Sequence, residues 1–195
     1  MDFQHDNSWD NLLEVYNSKL TIKEAWNKII DFHENIISKP FWTALRQIEM
    51  DSEQAEIKTW LEQIVTDSPL PKSVVALWIG ILKMDYNEME IPTIYIIGAD
   101  TYDADDIDWA CEPIYIPENR YVCPGVLNQI DEIVKSDNEN YEFFDWILPL
   151  AYCALTLDEI IRTKLNKKVF LTSKDKLFVA TGYDSGDYLK ISNIK

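Results

Sequence analysis

The fold of this chain is decided by the apolar run Val74-Val-Ala-Leu-Trp-Ile-Gly-Ile-Leu82 and by the shorter run Ile94-Tyr-Ile-Ile-Gly98 that follows it. The first run starts with two β-branched residues and is apolar throughout, which favours a buried strand, although a buried helix also fits. The second run predicts another strand, and the polar segment Asp85-Tyr-Asn-Glu-Met-Glu90 is the predicted connection. The two strands predict a sheet that lies inside the molecule.

The residues before the first strand predict a layer of helices. Thr21-Ile-Lys-Glu24 has the spacing of a capping box, which begins a helix. Lys39-Pro40 ends this helix, and the proline begins a second one. A third helix begins near Asp51 and ends before Pro69. The apolar faces of these helices are formed by residues at helical spacing, namely Ile22, Trp26, Ile29, Ile30, His33, Ile36, Ile37, Phe41, Leu45, Ile48, Ile57, Leu61, Ile64 and Val65.

The region after the strands mixes helical and extended patterns. Residues 126–135 predict a short amphipathic helix. Residues 141–165 are strongly apolar and predict a helix that Pro149 either kinks or divides, because proline lacks the N–H donor. Thr156-Leu-Asp-Glu159 is another capping-box match, so two helices that meet near residue 155 are an alternative.

The C-terminal residues predict a β-meander with strands at Val169-Phe-Leu-Thr172, Leu177-Phe-Val-Ala180 and Tyr188-Leu-Lys-Ile191. The fold class is therefore α+β, with an N-terminal helical layer, a mostly antiparallel sheet that ends in this meander, and helices packed on one face. At 195 residues, 47% of them apolar, the chain is expected to form a single domain over residues 1–195. Its helical part is residues 1–71, and its mixed part is residues 72–195.

The net charge of −16 comes from the middle of the sequence. Residues 84–161 hold 18 acidic and 2 basic residues, whereas residues 162–195 hold 3 acidic and 8 basic residues. Phosphate neutralisation needs a clustered basic surface, so this balance argues against nucleic acid as a direct ligand. A basic protein partner fits the charge better.

Several features predict a cytoplasmic protein without a membrane partner. The N-terminal sequence Met1-Asp-Phe-Gln-His-Asp6 has neither the basic start nor the apolar core of a signal peptide. The run at 74–82 is too short to span a bilayer. Cys111, Cys123 and Cys153 lack close spacing, which is typical of reduced thiols.

The densest charge lies directly after the second predicted strand. Six acidic residues fall in Asp100-Thr-Tyr-Asp-Ala-Asp-Asp-Ile-Asp-Trp-Ala-Cys-Glu112, within a stretch from Met84 to Asn119 that has ten acidic residues and no lysine or arginine. Crowded like charges repel, so a cation, a basic partner or solvation must compensate them. The calcium-loop pattern fails, because the sixth residue from Asp103 is Asp108 rather than glycine. A looser divalent-metal site in a metal-dependent hydrolase is the alternative.

Tyr102 and Trp109 lie within this acidic run and have two interpretations. Aromatic rings among exposed carboxylates are typical of protein interfaces, where the ring fills a pocket and the acids pair with lysine or arginine. Alternatively, Ile107, Trp109 and Cys111 alternate with polar neighbours as on a half-buried strand, so that Trp109 points inward. The aspartates are exposed in both interpretations.

Little in the sequence predicts catalysis. His33 lies on the apolar stripe of the first predicted helix, which indicates a core histidine. The chain has no GxSxG, phosphate-binding glycine loop or HExxH motif, and its cysteines lack the paired spacing of zinc ligands. A non-catalytic protein without a cofactor is the expectation.

In size, charge and the aromatic-containing acidic run from Asp100 to Glu112, the chain resembles the bacterial immunity proteins that neutralise toxins, often basic nucleases. The resemblance is one of type, and no family motif matches residue by residue. It implies a protein that covers the cationic cleft of a toxin. The predicted partner-binding residues are Asp100, Tyr102, Asp103, Asp105, Asp106, Asp108, Trp109 and Glu112. An interaction domain whose charge only maintains solubility is a third hypothesis.

Overall fold

The computed structural model describes residues 2–137, 139–184 and 186–195. The helices in these residues are α1 (His5–Asn17), α2 (Ile22–Ile36), α3 (Trp42–Arg46), α4 (Asp51–Asp67), α5 (Gly125–Val134), α6 (Tyr141–Glu159) and α7 (Lys167–Phe170). The strands are β1 (Ala76–Tyr86), β2 (Met89–Ala99), β3 (Tyr121–Val122), β4 (Phe178–Tyr183) and β5 (Tyr188–Lys190). A 3₁₀ helix spans Asp108–Cys111, and a π-helical turn spans Ile160–Lys164. In these residues four helices precede β1 and three more lie between β3 and β4, so the predicted α+β class is confirmed.

The strands form one sheet in the order β3-β2-β1-β4-β5. Only the β1–β4 pair is parallel, and the other three pairs are antiparallel. The β1–β2 hairpin extends further than the sequence predicts, because Tyr86 pairs with Met89 around a two-residue turn. Asn87 and Glu88 in this turn have φ values of 52° and 66°, the left-handed conformation that tight hairpin turns require. The segment predicted as a polar loop is therefore mostly strand.

The C-terminal part contains two strands where the sequence predicts three. The predicted strand at Val169–Thr172 is wrong, because residues 167–170 form the short helix α7 with Phe170 buried. Strand β4 pairs in parallel with β1 and antiparallel with β5. The meander is thus reduced to the hairpin β4–β5.

Helix α6 continues through Pro149 without division. Proline at this position leaves the carbonyl of Asp145 without its helical donor. The hydroxyl of Tyr183 on β4 lies 3.0 Å from this carbonyl oxygen and 2.9 Å from that of Trp146, and it donates to this pair. Thr156 is buried in the helix interior rather than at a cap, so the two-helix alternative is wrong. A hydrogen bond from the sheet compensates the missing donor.

The N-terminal helices agree with the predicted pattern, and the sequence missed one of them. The capping box of Thr21 and Glu24 is confirmed at the start of α2, and α4 begins at Asp51 as predicted. Helix α1 was not predicted from the sequence. It packs on α2 and places Ser8 against His33, which is fully buried as predicted.

His33 is held in its neutral form. Its Nδ1–H donates to the carbonyl oxygen of Ile29 at 2.7 Å, and its Nε2 accepts from the hydroxyl of Ser8 at 3.0 Å. A carbonyl can only accept, so the proton must be on Nδ1. Burial lowers the pKa of His33 to about 4, against the opposing effect of the Ile29 hydrogen bond.

We expect the free energy of unfolding to fall by about 3 kcal/mol as the pH drops from 6.5 towards 4. In this window the unfolded chain binds a proton at His33 that the folded chain does not, so stability is complete above pH 6.5 and is lost as the pH falls. Urea unfolding at stepped pH measures this slope. The exposed His5 provides the control, since His5→Gln should keep the slope and His33→Gln should lose it. An NMR titration that places the pKa of His33 near 6.5 would contradict the explanation.

Different parts of the chain pack on the two faces of the sheet. Leu77, Ile79 and Ile96 belong to the main core, which the helices complete, and we call this side the helical face. Trp78, Tyr95 and Ile97 point to the opposite side and form a second cluster with Trp109. Residues 100–112, which we call the lid, cover this second cluster, and we call this side the lid face. The predicted packing of the helices on one face is confirmed.

Candidate functional site

The lid follows β2 directly and is shaped by its own aspartates. The Asp103 carboxylate accepts from the backbone N–H of Asp105 at 2.8 Å, and the Asp106 carboxylate accepts from that of Asp108 at 2.9 Å. Such local bonds stabilise turns in place of a strand. The chain then enters the 3₁₀ helix Asp108–Cys111. The predicted half-buried strand at this position is therefore wrong.

All six acidic residues of the lid are exposed on the lid face: Asp100, Asp103, Asp105, Asp106, Asp108 and Glu112. None of them lies within 4.0 Å of a lysine or arginine nitrogen in the described residues. Two C-terminal lysines are close by, but they use other partners. Lys190 donates to the backbone carbonyl of Ala104, and the Lys176 ammonium lies 3.9 Å from the ring centroid of Phe178.

The carboxylates further along the chain behave differently. Asp131 accepts from Lys83 at 2.9 Å and from Lys135 at 2.6 Å, and Asp158 accepts from Arg162 at 2.6 Å. Within residues 84–119, in contrast, no acidic side chain forms an ion pair in the described structure. The fold pairs many of its carboxylates internally and leaves the carboxylates of this stretch without an ion-pair partner in the described residues.

Trp109 is buried under the lid. Its side chain is 7% exposed, and its ring meets that of Trp78 edge to face with centroids 6.5 Å apart. The prediction that the Trp109 ring is presented to a partner is therefore corrected. Its side chain points into the protein, as in the alternative interpretation. Cys111 is exposed, which a regular strand alternation with Trp109 would not give. Trp109 attaches the lid to the sheet.

Tyr102 is half-buried and stacks on Phe178 of β4, with ring centroids 3.9 Å apart and an angle of 7° between the planes. Burial raises the pKa of Tyr102, and the nearby Tyr188, Asp103 and Asp105 raise it further. Asp103 and Asp105 therefore lie close enough to the Tyr102 hydroxyl for their charge to disfavour its ionisation. Tyr102 fixes the position of the lid and leaves part of its ring accessible.

The lid carboxylates do not converge on a single point. Among the described residues, no group of three or more histidine, cysteine, aspartate or glutamate side chains is arranged to hold a metal ion. The donor set that the metal-dependent alternative requires from Asp100 to Glu112 is therefore not assembled in this part of the structure.

A second exposed feature lies at the far end of the same sheet face. The hairpin tip, residues 84–91, presents Met84, Tyr86 and Met89, which are 39%, 63% and 60% exposed. Tyr86 and Met89 are cross-strand partners, and alternation from Trp78 along β1 places Met84 and Tyr86 on the lid face. Large exposed apolar groups that cluster in this way are typical of interaction surfaces.

The opposite side of the hairpin tip is acidic. Asp85 and Glu90 are directly opposed across the two strands, and both are exposed. Like charges in this arrangement are unfavourable. Glu88 adds a third exposed carboxylate in the turn. The tip therefore combines an apolar surface with unbalanced negative charge.

The sequence interpretation missed the hairpin tip because it assigned residues 85–90 to a loop. The signal was present in the spacing, since Leu82, Met84 and Tyr86 alternate with Lys83 and Asp85 as on one face of a strand. If this alternation is continued past Leu82, it predicts that Met84 and Tyr86 lie on the same face of the sheet as Trp78.

Aromatic side chains connect the tip to the lid across the sheet. The ring of Tyr95 lies over Gly80, where a Cβ atom would come within 2.1 Å of it, so the position needs glycine. The Tyr95 hydroxyl accepts from the Trp78 indole at 3.1 Å and donates to Asp184. Trp78 and Tyr86 are eight residues apart, about 26 Å along a strand. An interface of standard size buries about 800 Å² on each partner, and a patch of this area is wide enough to include both the lid and the hairpin tip.

Comparisons with protein-family models, with curated proteins and with solved structures give no match for this chain. None of the helices in the described ranges has the length and apolar character needed for a bilayer span. The fold and the site together define an α+β protein whose sheet is packed by helices on one face and by an acidic lid on the other.

Proposed function

We propose that this protein is a non-catalytic binding protein whose lid face docks onto a basic protein partner. The observation that carries the proposal is the lid, residues 100–112, whose six exposed carboxylates have no ion-pair partner in the described structure. A basic partner would supply the ion-pair partners that these carboxylates lack. Complementary charge of this kind accelerates association and excludes acidic competitors.

The apolar anchor of the interface is the hairpin tip rather than Trp109. Binding energy concentrates on a few large side chains that become fully desolvated, among which tyrosine is common. Tyr86 is 63% exposed in the free protein and therefore has most of its surface left to bury. The lid carboxylates, at the other end of the same sheet face, form the charged part of the interface.

The resemblance to immunity proteins suggests how such binding would act. A toxin that cleaves nucleic acid needs a cationic cleft for its phosphate substrate. The lid carboxylates from Asp100 to Glu112 would pair with the lysines and arginines of that cleft, and the lid would fill it. The substrate is then excluded without any chemical step by the inhibitor.

The anchor can be tested by low-salt affinity capture from the source cells, followed by quantitative mass spectrometry. We expect the double variant Tyr86→Ser, Met89→Ser to recover at least 10-fold less of the basic partner, because each replacement removes an exposed apolar anchor. Its melting temperature should stay close to that of the unmodified protein, since neither side chain is buried.

The matched control is Tyr86→Phe, which keeps the ring and loses only the hydroxyl. We expect this variant to capture the partner as well as the unmodified protein does. Equal capture by the double variant would show that the hairpin tip is outside the interface.

A further inference from the structure

The surface carries a groove of about 820 Å³ between α4 and residues 116–119. The chain reaches it from the lid through Pro113–Tyr115, and Tyr115 forms an antiparallel bridge with Gly98 of β2. Tyr115 is buried in the main core, and its hydroxyl donates to the carbonyl of Ser68 at 2.7 Å. Residues 116–119 therefore leave the lid face, and the groove lies beside α4 on the helical side.

The floor of the groove is apolar and rigid. It is formed by Trp60, Ile64, Ile116 and Pro117, and Ile116 is 54% exposed. The Trp60 indole N–H donates to the carbonyl of Asn119 at 3.3 Å, which fixes the ring against the loop. A preformed concave site with exposed apolar side chains is the usual form of a binding site.

The rim of the groove is acidic. Glu56, Asp67 and Glu118 line it, and no lysine or arginine is among its lining residues. Both carboxylate oxygens of Asp67 accept from the Gln63 amide at 2.8 Å, which holds that carboxylate in place. Clefts lined by one sign of charge concentrate ligands of the opposite sign.

Nearby basic residues do not neutralise this rim. Lys58 on α4 is paired with Glu62 at 2.8 Å. Arg120 follows the groove in sequence, and its guanidinium donates to the Pro117 carbonyl at 3.4 Å and to the Tyr121 hydroxyl at 3.1 Å, but it forms no ion pair with a rim carboxylate in the described residues. Tyr121 pairs with Tyr95 and shares its side of the sheet, the lid face. The three rim carboxylates therefore keep their charge available.

We propose that the groove binds an extended polypeptide segment in which a large apolar residue is adjacent to arginine or lysine. The apolar side chain packs on Trp60 and Ile116, and the basic side chain reaches the carboxylates of Glu56, Asp67 or Glu118. The volume of about 820 Å³ is large for a single cation and fits several residues of a peptide. This site is separate from the lid face and extends the proposed function.

The test uses three end-capped hexapeptides, of alternating leucine and arginine, leucine and glutamate, and serine and arginine. Each is titrated into the full chain while the Trp60 indole and Ile116 methyl resonances are followed by NMR. We expect the leucine–arginine peptide to shift both resonances at submillimolar Kd, and the other two peptides to bind at least 10-fold more weakly. Binding of all three with equal Kd, or shifts confined to the lid, would overturn the proposal.

Two variants make the test specific. The triple variant Glu56→Gln, Asp67→Asn, Glu118→Gln should weaken binding of the leucine–arginine peptide at least 10-fold, and so should Ile116→Ser. Ile116 is 54% exposed, so this replacement should leave the fold intact. The control Asp103→Asn, Asp105→Asn, Asp108→Asn removes the same charge from the lid and should leave the Trp60 shifts unchanged. Equal weakening by this control would mean that net charge, and not the groove, attracts the peptide. Because the two triple variants address different surfaces, failure of the groove leaves the lid-face proposal open to its own test.

Discussion

Replacing Asp103, Asp105, Asp106 and Asp108 together by asparagine is expected to weaken binding of the basic partner at least 100-fold at low salt. Close charge pairs at a desolvated interface contribute about 1.5–7 kcal/mol each, so the loss of two such pairs is sufficient. The salt dependence of binding should also become flatter, because fewer charges are screened. Titration calorimetry at several ionic strengths measures both effects.

The same variant should fold normally. Asparagine keeps the side-chain oxygen with which Asp103 and Asp106 accept the backbone N–H groups of Asp105 and Asp108. Removing four crowded charges also relieves repulsion, so we expect the free energy of unfolding to stay equal or rise slightly. The loss of binding can then be assigned to the surface and not to unfolding.

A charge-matched control separates the lid from net charge. The variant Asp2→Asn, Asp6→Asn, Asp10→Asn, Glu14→Gln removes four exposed carboxylates near α1. We expect its affinity for the partner to change by less than about 3-fold, since distant exposed charges are screened. Equal losses in the two variants would show that the partner responds to total charge only.

The largest effect on stability is expected at Asp158. Its carboxylate is 3% exposed and accepts from the Tyr16 hydroxyl at 2.9 Å, the Ser192 N–H at 3.0 Å and the Arg162 guanidinium at 2.6 Å. Lys19 adds an ion pair at 3.2 Å. Burial alone would raise the pKa of Asp158, but these hydrogen bonds and charges hold it below its usual value. One carboxylate thus connects α1, α6 and the C-terminal segment.

We expect Asp158→Ala to lower the free energy of unfolding by about 3 kcal/mol. The variant leaves the Tyr16 hydroxyl and the Ser192 N–H without their acceptor. The figure is at the lower end for a buried ion pair, because Lys19 and Arg162 remain 39% and 28% exposed and regain water. Urea unfolding measures the change.

The control for this variant is Asp31→Ala. Asp31 pairs with Arg46 at 2.6 Å but is 58% exposed, so its removal should cost less than about 1 kcal/mol. If Asp158→Ala lowers the free energy of unfolding no more than Asp31→Ala does, the Asp158 carboxylate does not hold α1, α6 and the C-terminal segment together.

The local sequence pattern was sufficient to predict most of the helices and the two strands of the β1–β2 hairpin, although not the hairpin tip. The stripe on α2 and the capping box at Thr21 depend on residues within one turn of each other, so the sequence specifies them directly. Val169 was misassigned because its β-branched side chain favours strands, while burial of Phe170 in the core stabilises a helix there. The parallel pairing of Ala76 with Phe178 joins residues a hundred positions apart, which periodicity cannot predict.

For the site, the sequence predicted the exposed charge of the lid and left the direction of Trp109 open. Alternation could not decide that direction, since the lid is built from aspartate turns and a 3₁₀ helix rather than from a strand. Trp109 is buried against the ring of Trp78 on β1, which is distant in sequence. The exposure of Tyr86 likewise depends on the register of the hairpin, which the turn at Asn87 and Glu88 sets.

The most direct test of the binding face is site-specific photo-cross-linking. A photoreactive phenylalanine derivative is placed either at Ala104 in the lid or at Lys28, an exposed position on α2. Each version is irradiated with the main basic protein recovered by low-salt capture. We expect a covalent complex from position 104 and none from position 28. Cross-linking from position 28 without cross-linking from position 104 would contradict the claim that the lid face binds the partner.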